Sequence, residues 1–240
     1  KISKKIRNFL NIRPSIDIFD YTNNNLSLSD AFFWRVDNKF NTIFKFTKIL
    51  NLFYGIQSED LNLVFFDKNN KFLKKINVGK NKNKEVLIDK NFFDGKQEYG
   101  VFYAFHSTSQ KLNTIIRNSC YCGYSFDGNI PSMLHGNTIT ASSEINKEKI
   151  EFGIGGKSTF STKTYTVQNY YDMDKVEIML INPTKNKIKI TVNDIIYKLD
   201  IGNSMLIEIN TKLIRIKSKC YLLRPIVFTY KNKYLDVHHG

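Results

Sequence analysis

The sequence predicts an all-β protein made of two related antiparallel β-sandwich-like units, immunoglobulin- or jelly-roll-like, with a loop-rich connecting segment and a short N-terminal helix. Three observations carry that prediction. An aromatic run at 99–105 suits a central strand, and apolar and polar residues alternate at strict period two in 188–192. Asn- and Asp-rich turns separate the apolar runs, as at Asp67-Lys68-Asn69-Asn70 and Asn193-Asp194. The order of strands in the first half also returns near the C-terminus.

Taken in order, residues 1–26 form a basic amphipathic segment. Ile2, Ile6, Phe9 and Leu10 fall at helical spacing among Lys1, Lys4, Lys5 and Arg7, and Pro14 would stop the helix. At about three turns, packing on its own domain or fraying is the expected fate, rather than membrane anchoring. Residues 27–106 make the first β unit. Its run from Leu61 to Phe66 turns into 72–78 as a hairpin, Val86-Leu87-Ile88 follows a Lys/Asn loop, and the aromatic run 99–105 suits a central strand. Residues 175–240 make the second unit, with strands expected at 176–181, 188–192, 197–202, 205–209, 213–216 and 223–230. Phe72 to Gly79 lines up with Ile195 to Gly202, and Val86 to Asp89 with Leu206 to Ile209, which is the basis for an internal repeat. Between the units, residues 107–174 are rich in Ser, Thr, Gly, Asn and Tyr. A segment of that length carries function or hidden strands.

The Asn182-Pro183-Thr184 turn before an alternating strand resembles the tandem immunoglobulin-like sandwich modules of microbial surface and polysaccharide-associated proteins. The likeness spans 61–106 and 176–230, and none of its residues carries chemistry, so it implies a fold and no activity.

Composition narrows the function classes. The 240 residues are 42% apolar, enough for a core, and contain no run of eighteen apolar residues, so neither a spanning helix nor a secretory h-region is expected. A soluble chain, cytoplasmic or cell-surface associated, is the expectation. The formal charge of +14 raises nucleic acid as a partner, yet 30 of the 36 basic residues are Lys, whereas base and phosphate readers favour the planar fork of Arg. Cys120, Cys122 and Cys220 match no disulfide framework or zinc knuckle and read as buried free thiols. Gly153-Ile154-Gly155-Gly156-Lys157-Ser158 echoes a phosphate-binding loop, but Glu151 stands where its first Gly belongs and no helix follows.

Two constellations remain. His106, His135, His238 and His239 are the only histidines, each at a strand end or in the irregular segment. If related edges of the two units met, they would converge as a shell for a divalent metal such as zinc. The stretch from Arg117 to Asn137 mixes Arg117, Tyr121, Tyr124, Asp127, His135 and Asn137 with Gly123, Gly128 and Gly136. Sugar recognition uses this mixture of aromatic faces and hydrogen-bonding groups, and Arg224 adds an anion contact. No nucleophile elbow and no placed carboxylate pair marks a hydrolase. The expected function is a non-enzymatic carbohydrate-associated binding or structural module, linked to a cell-surface polysaccharide and taking a glycan or small polar ligand. A metal-dependent enzyme using the histidines is the alternative, and a basic nucleic-acid binder the second.

Overall fold

The computed structural model describes residues 6, 25–79, 84–96, 98–117, 120–147, 149–156, 161–168, 172–220 and 223–240. The helix expected over residues 1–12 lies, Ile6 apart, outside them. Among the described residues twenty strands form five four-stranded sheets, and no helix is long and apolar enough to cross a membrane.

Two sheets make the first unit. One runs β2 (Phe32–Arg35), β7 (Tyr99–Ser107), β4 (Asp60–Asp67), β5 (Phe72–Asn77). Facing it are β10 (Ser132–His135), β9 (Tyr121–Phe126), β3 (Phe40–Lys45) and β6 (Glu85–Ile88). Between them Phe44 meets Phe32 and Phe102 edge-on at 5.1 and 5.0 Å. In the second unit β13 (Lys163–Gln168), β18 (Leu213–Ser218), β15 (Ile188–Val192) and β16 (Ile195–Leu199) form one sheet. The other is β17 (Ser204–Ile209), β14 (Lys175–Ile181), β19 (Ile226–Lys231), β20 (Tyr234–His239).

In chain order the eight strands of each unit pair identically and antiparallel. The first, sixth, third and fourth form one sheet, and the fifth, second, seventh and eighth the other. The sequence repeat falls on equivalent positions, since β5 and β16 are the fourth strands and β6 and β17 the fifth. Both hairpins that precede them close as their residues dictate. Asp67 accepts at Oδ1 from the backbone of Asn69 and Lys71 at 2.9 and 2.8 Å, while Asn193 and Asp194 adopt the left-handed φ values of 44° and 70° that a tight two-residue turn requires.

The described residues of 107–174 hold six strands, β8 (Ile115–Arg117) to β13, of which β9 and β10 complete the first unit and β13 opens the second. A fifth sheet is added to the first unit, ordered β12 (Ile150–Phe152), β11 (Ile139–Glu144), β1 (Leu26–Asp30), β8, with β8 parallel to β1. It substitutes side chains for a strand partner: Ser29 and Ser27 accept at Oγ from the Ala104 and His106 backbone at 2.9 and 3.0 Å, satisfying the part of β7 that runs past β2.

The second unit has its own aliphatic core, with Val176, Ile178, Leu180 and Val227 facing Ile190, Ile214 and Ile216. The alternate residues of β14 and β19, Met179, Ile181, Ile226, Phe228 and Tyr230, join the first unit's core. This sheet is therefore buried on both faces. At its centre Arg35, fully buried, donates to Asp37 from Nε and Nη2 at 2.9 and 2.7 Å and to Glu177 of β14 from Nη1 at 2.9 Å. Its guanidinium lies 3.6 Å from the Phe40 ring centroid and 4.7 Å from that of Phe228.

Replacing Arg35 by Met leaves Glu177 buried beside Lys175 alone. We expect a loss of about 3–5 kcal/mol in denaturant-induced unfolding, with the double variant Arg35→Met, Glu177→Leu less destabilised than the two single changes summed. Because one core spans both units, the wild-type transition should be single when followed by Trp34 fluorescence and by far-ultraviolet circular dichroism together.

Candidate functional site

The equivalent eighth strands of the two units lie side by side. Ser132 of β10 both accepts from the Val237 backbone N–H of β20 at 3.1 Å and donates to its carbonyl at 3.4 Å. Each strand ends in His-Gly, His135-Gly136 in one and His239-Gly240 in the other. The two imidazoles stack with centroids 4.7 Å apart and planes tilted 32°. Their tautomers follow from their carbonyl partners: His239 donates from Nε2 to the His135 carbonyl at 3.3 Å, and His135 donates from Nδ1 to the Gly136 carbonyl at 3.0 Å.

Arg224, immediately before Pro225 and β19, donates from Nη1 to the Asn137 carbonyl at 3.0 Å. The backbone of Asn137 is tied to Ala31 at 3.2 Å and its side chain is fully buried, yet both carboxamide atoms are without a partner. The Nδ1 atom of His239 is likewise buried and unpartnered. Buried polar atoms left unpaired are rare because each forfeits its hydration, so three at one seam mark it out. Gly136 is required there, since a Cβ would stand 2.5 Å from the Asp30 carboxylate, which Arg117 holds from Nε and Nη2 at 3.0 and 2.8 Å.

The seam is electropositive. Arg117 and Arg35 have carboxylate partners, whereas among the described residues no carboxylate lies within ion-pair distance of Arg224. Burial, then the charges of Arg224 and His135, push His239 from its ordinary 6.5 down to about 4.

The other expected residues divide by strand parity. Tyr121 is 56% exposed and pairs directly across from His135, on the outer face of the sheet. Tyr124, three residues on, faces the core, fully buried, its hydroxyl donating to the Phe33 carbonyl at 3.0 Å, so its ring is not free to stack on a sugar. Asp127 occupies a left-handed turn position and pairs with Lys39 and Lys233 at 3.3 and 3.9 Å.

The four histidines do not form one metal shell. His106 sits fully buried against Glu59, whose other oxygen accepts from the Asn51 backbone at 2.8 Å in the short helix α1 (Ile49–Tyr54), and His238 pairs with Asp236 at 3.2 Å. Only His135 and His239 meet. Among the described residues no three His, Cys, Asp or Glu side chains come together to hold a metal. The three cysteines are buried and form no disulfide, and burial raises each thiol to about 12.

Glu59, Asp30, Arg35 and Glu177 were not singled out by sequence reasoning. The available signal for the last two was a charge inside an otherwise apolar strand, Phe32-Phe33-Trp34-Arg35 and Val176-Glu177-Ile178. Compared with protein-family models, curated proteins and solved structures, the chain matches none.

The depressed His239 sets a sign. In the unfolded chain the group takes up a proton near 6.5, but in the folded protein only near 4, so stability falls as pH drops from 6.5 towards 4 and is unaffected by this group above that window. Replacing His239 by Gln should flatten thermal-melt midpoints between pH 6.5 and 4 relative to wild type. An unchanged slope would show that His239 is not held neutral.

Proposed function

We propose that this protein is a non-enzymatic, carbohydrate-associated β-sandwich binding module that takes a glycan where its two units meet. The observation that supports the reading is the convergence of His135, Asn137, Arg224 and His239 at the seam, next to the exposed ring of Tyr121. An aromatic face flanked by fixed donors and acceptors is what a pyranose requires, its C–H surface stacking while its hydroxyls bond. The rigid strands and the double-sided sheet hold these groups in place without a ligand, which limits the ordering cost of binding. Binding to cell-surface polysaccharide is the setting this chemistry suits, and no group of the seam is placed as nucleophile or paired acid and base.

The test is a glycan panel followed by backbone amide NMR. Saturable shifts at Tyr121, His135 and Asn137 are expected, with Tyr121→Ala weakening binding roughly tenfold through loss of stacking. Failure of every glycan to shift these residues would reject the reading.

A further inference from the structure

We infer that the group received at this seam is the carboxylate of an acidic sugar, bound together with a proton on His239. The inference rests on the glycan reading and specifies its ligand. Arg224 is half-buried, and among the described residues no carboxylate neutralises it, although Arg35 and Arg117 show that this fold supplies carboxylates where a guanidinium is to be kept quiet. A cation in a partly desolvated place without a counterion attracts one. The same charge argues against a metal cation between the two imidazoles.

The proton follows from hydrogen bonding. His239 spends its Nε2–H on the His135 carbonyl, so in the neutral ring the buried, unpartnered Nδ1 is a lone pair. A lone pair repels an anion's oxygen, whereas Nδ1–H attracts it. Bringing in a carboxylate therefore takes up one proton, which adds to the imidazole while no other bond changes. The buried Asn137 carboxamide has two N–H donors and an acceptor oxygen unpaired, which suit a carboxylate oxygen and a neighbouring hydroxyl of the same ligand. Opening the buried Nδ1 to the ligand requires movement of His135, an exposed side chain held by ring stacking and by a bond to its neighbour's carbonyl, and exposed rings change rotamer quickly.

The groups facing His239 are Arg224 before β19, His135 on β10 and His238 on its own strand, the last beside Asp236. The Arg117–Asp30 pair stands behind Gly136. With the free ring titrating near 4, affinity should rise about tenfold for each unit that pH falls from 8 to 5, where a uronic acid stays ionised.

Calorimetric titrations with glucuronate, glucose, acetate and inorganic phosphate, in buffers of different ionisation enthalpy, test this. Expected are glucuronate binding with uptake of close to one proton, much weaker and pH-independent glucose binding, loss of the steep pH dependence in His239→Gln, and at least a 30-fold loss in Arg224→Ala. Arg224→Lys and the exposed His135→Ala repeat the test should the first variants melt early. Glucose binding as well as glucuronate, without proton uptake, overturns the inference and leaves the glycan reading standing. Acetate binding as tightly as glucuronate keeps the proton-coupled carboxylate and overturns the sugar. Phosphate preferred over glucuronate overturns the inference, and no binding by any probe overturns both.

Discussion

The burial of one sheet on both faces is the constraint on which the rest of this structure depends. The sheet β17-β14-β19-β20 contributes alternate residues to two cores, and the charged group at its centre cannot be left to water. Burial works against the Arg35 charge, but Asp37 and Glu177 more than offset it, raising its pKa, and the Phe40 and Phe228 rings close over its faces. A guanidinium suits this position better than an ammonium because its planar fork donates to two carboxylates at once while its faces lie against aromatics. Strand β2 carries Arg35 and strand β14 carries Glu177, so the ion pair fixes how one unit sits on the other. With that relation set, β20 lies along β10, joined to it through Ser132 and Val237.

The strands that sequence patterns reveal are the strongly apolar ones, whether buried on both faces, as β4, β7 and β14 are, or on one, as β15 is. β15 alternates because one of its faces is buried, and the Asn-Asp pair that the turn needs joins it to β16. The hidden strands of 107–174 bury small and polar residues: β11 reads Ile-Thr-Ala-Ser-Ser-Glu with its four central residues buried, and β9 brings Cys122 and Tyr124 inward. Small side chains let backbones approach closely but leave no hydrophobic signal to read. The same blindness affected the candidate site. Tyr121 and Tyr124 stand three apart in one strand, so a strand places them on opposite faces, whereas an irregular segment places them anywhere. The meeting of related edges was legible as a possibility in the repeat, but which histidine lay inside was not, because His106 is held by Glu59, forty-seven positions away.

Shared topology explains why a seam of this composition arises. When two units of the same topology meet along the same strand, like positions face like, and here both positions are histidine followed by glycine. His135, its ring 4.7 Å away, and the Arg224 guanidinium both oppose protonation of His239. The pair resolves this by becoming unequal. His239 gives its one N–H to the carbonyl of its counterpart and is partly withdrawn from water, while His135 bonds only its own neighbour and stays exposed. Equivalent positions thus become one half-buried ring whose open nitrogen has no protein partner and one exposed ring stacked on it, an asymmetry that a single unit has no means of producing.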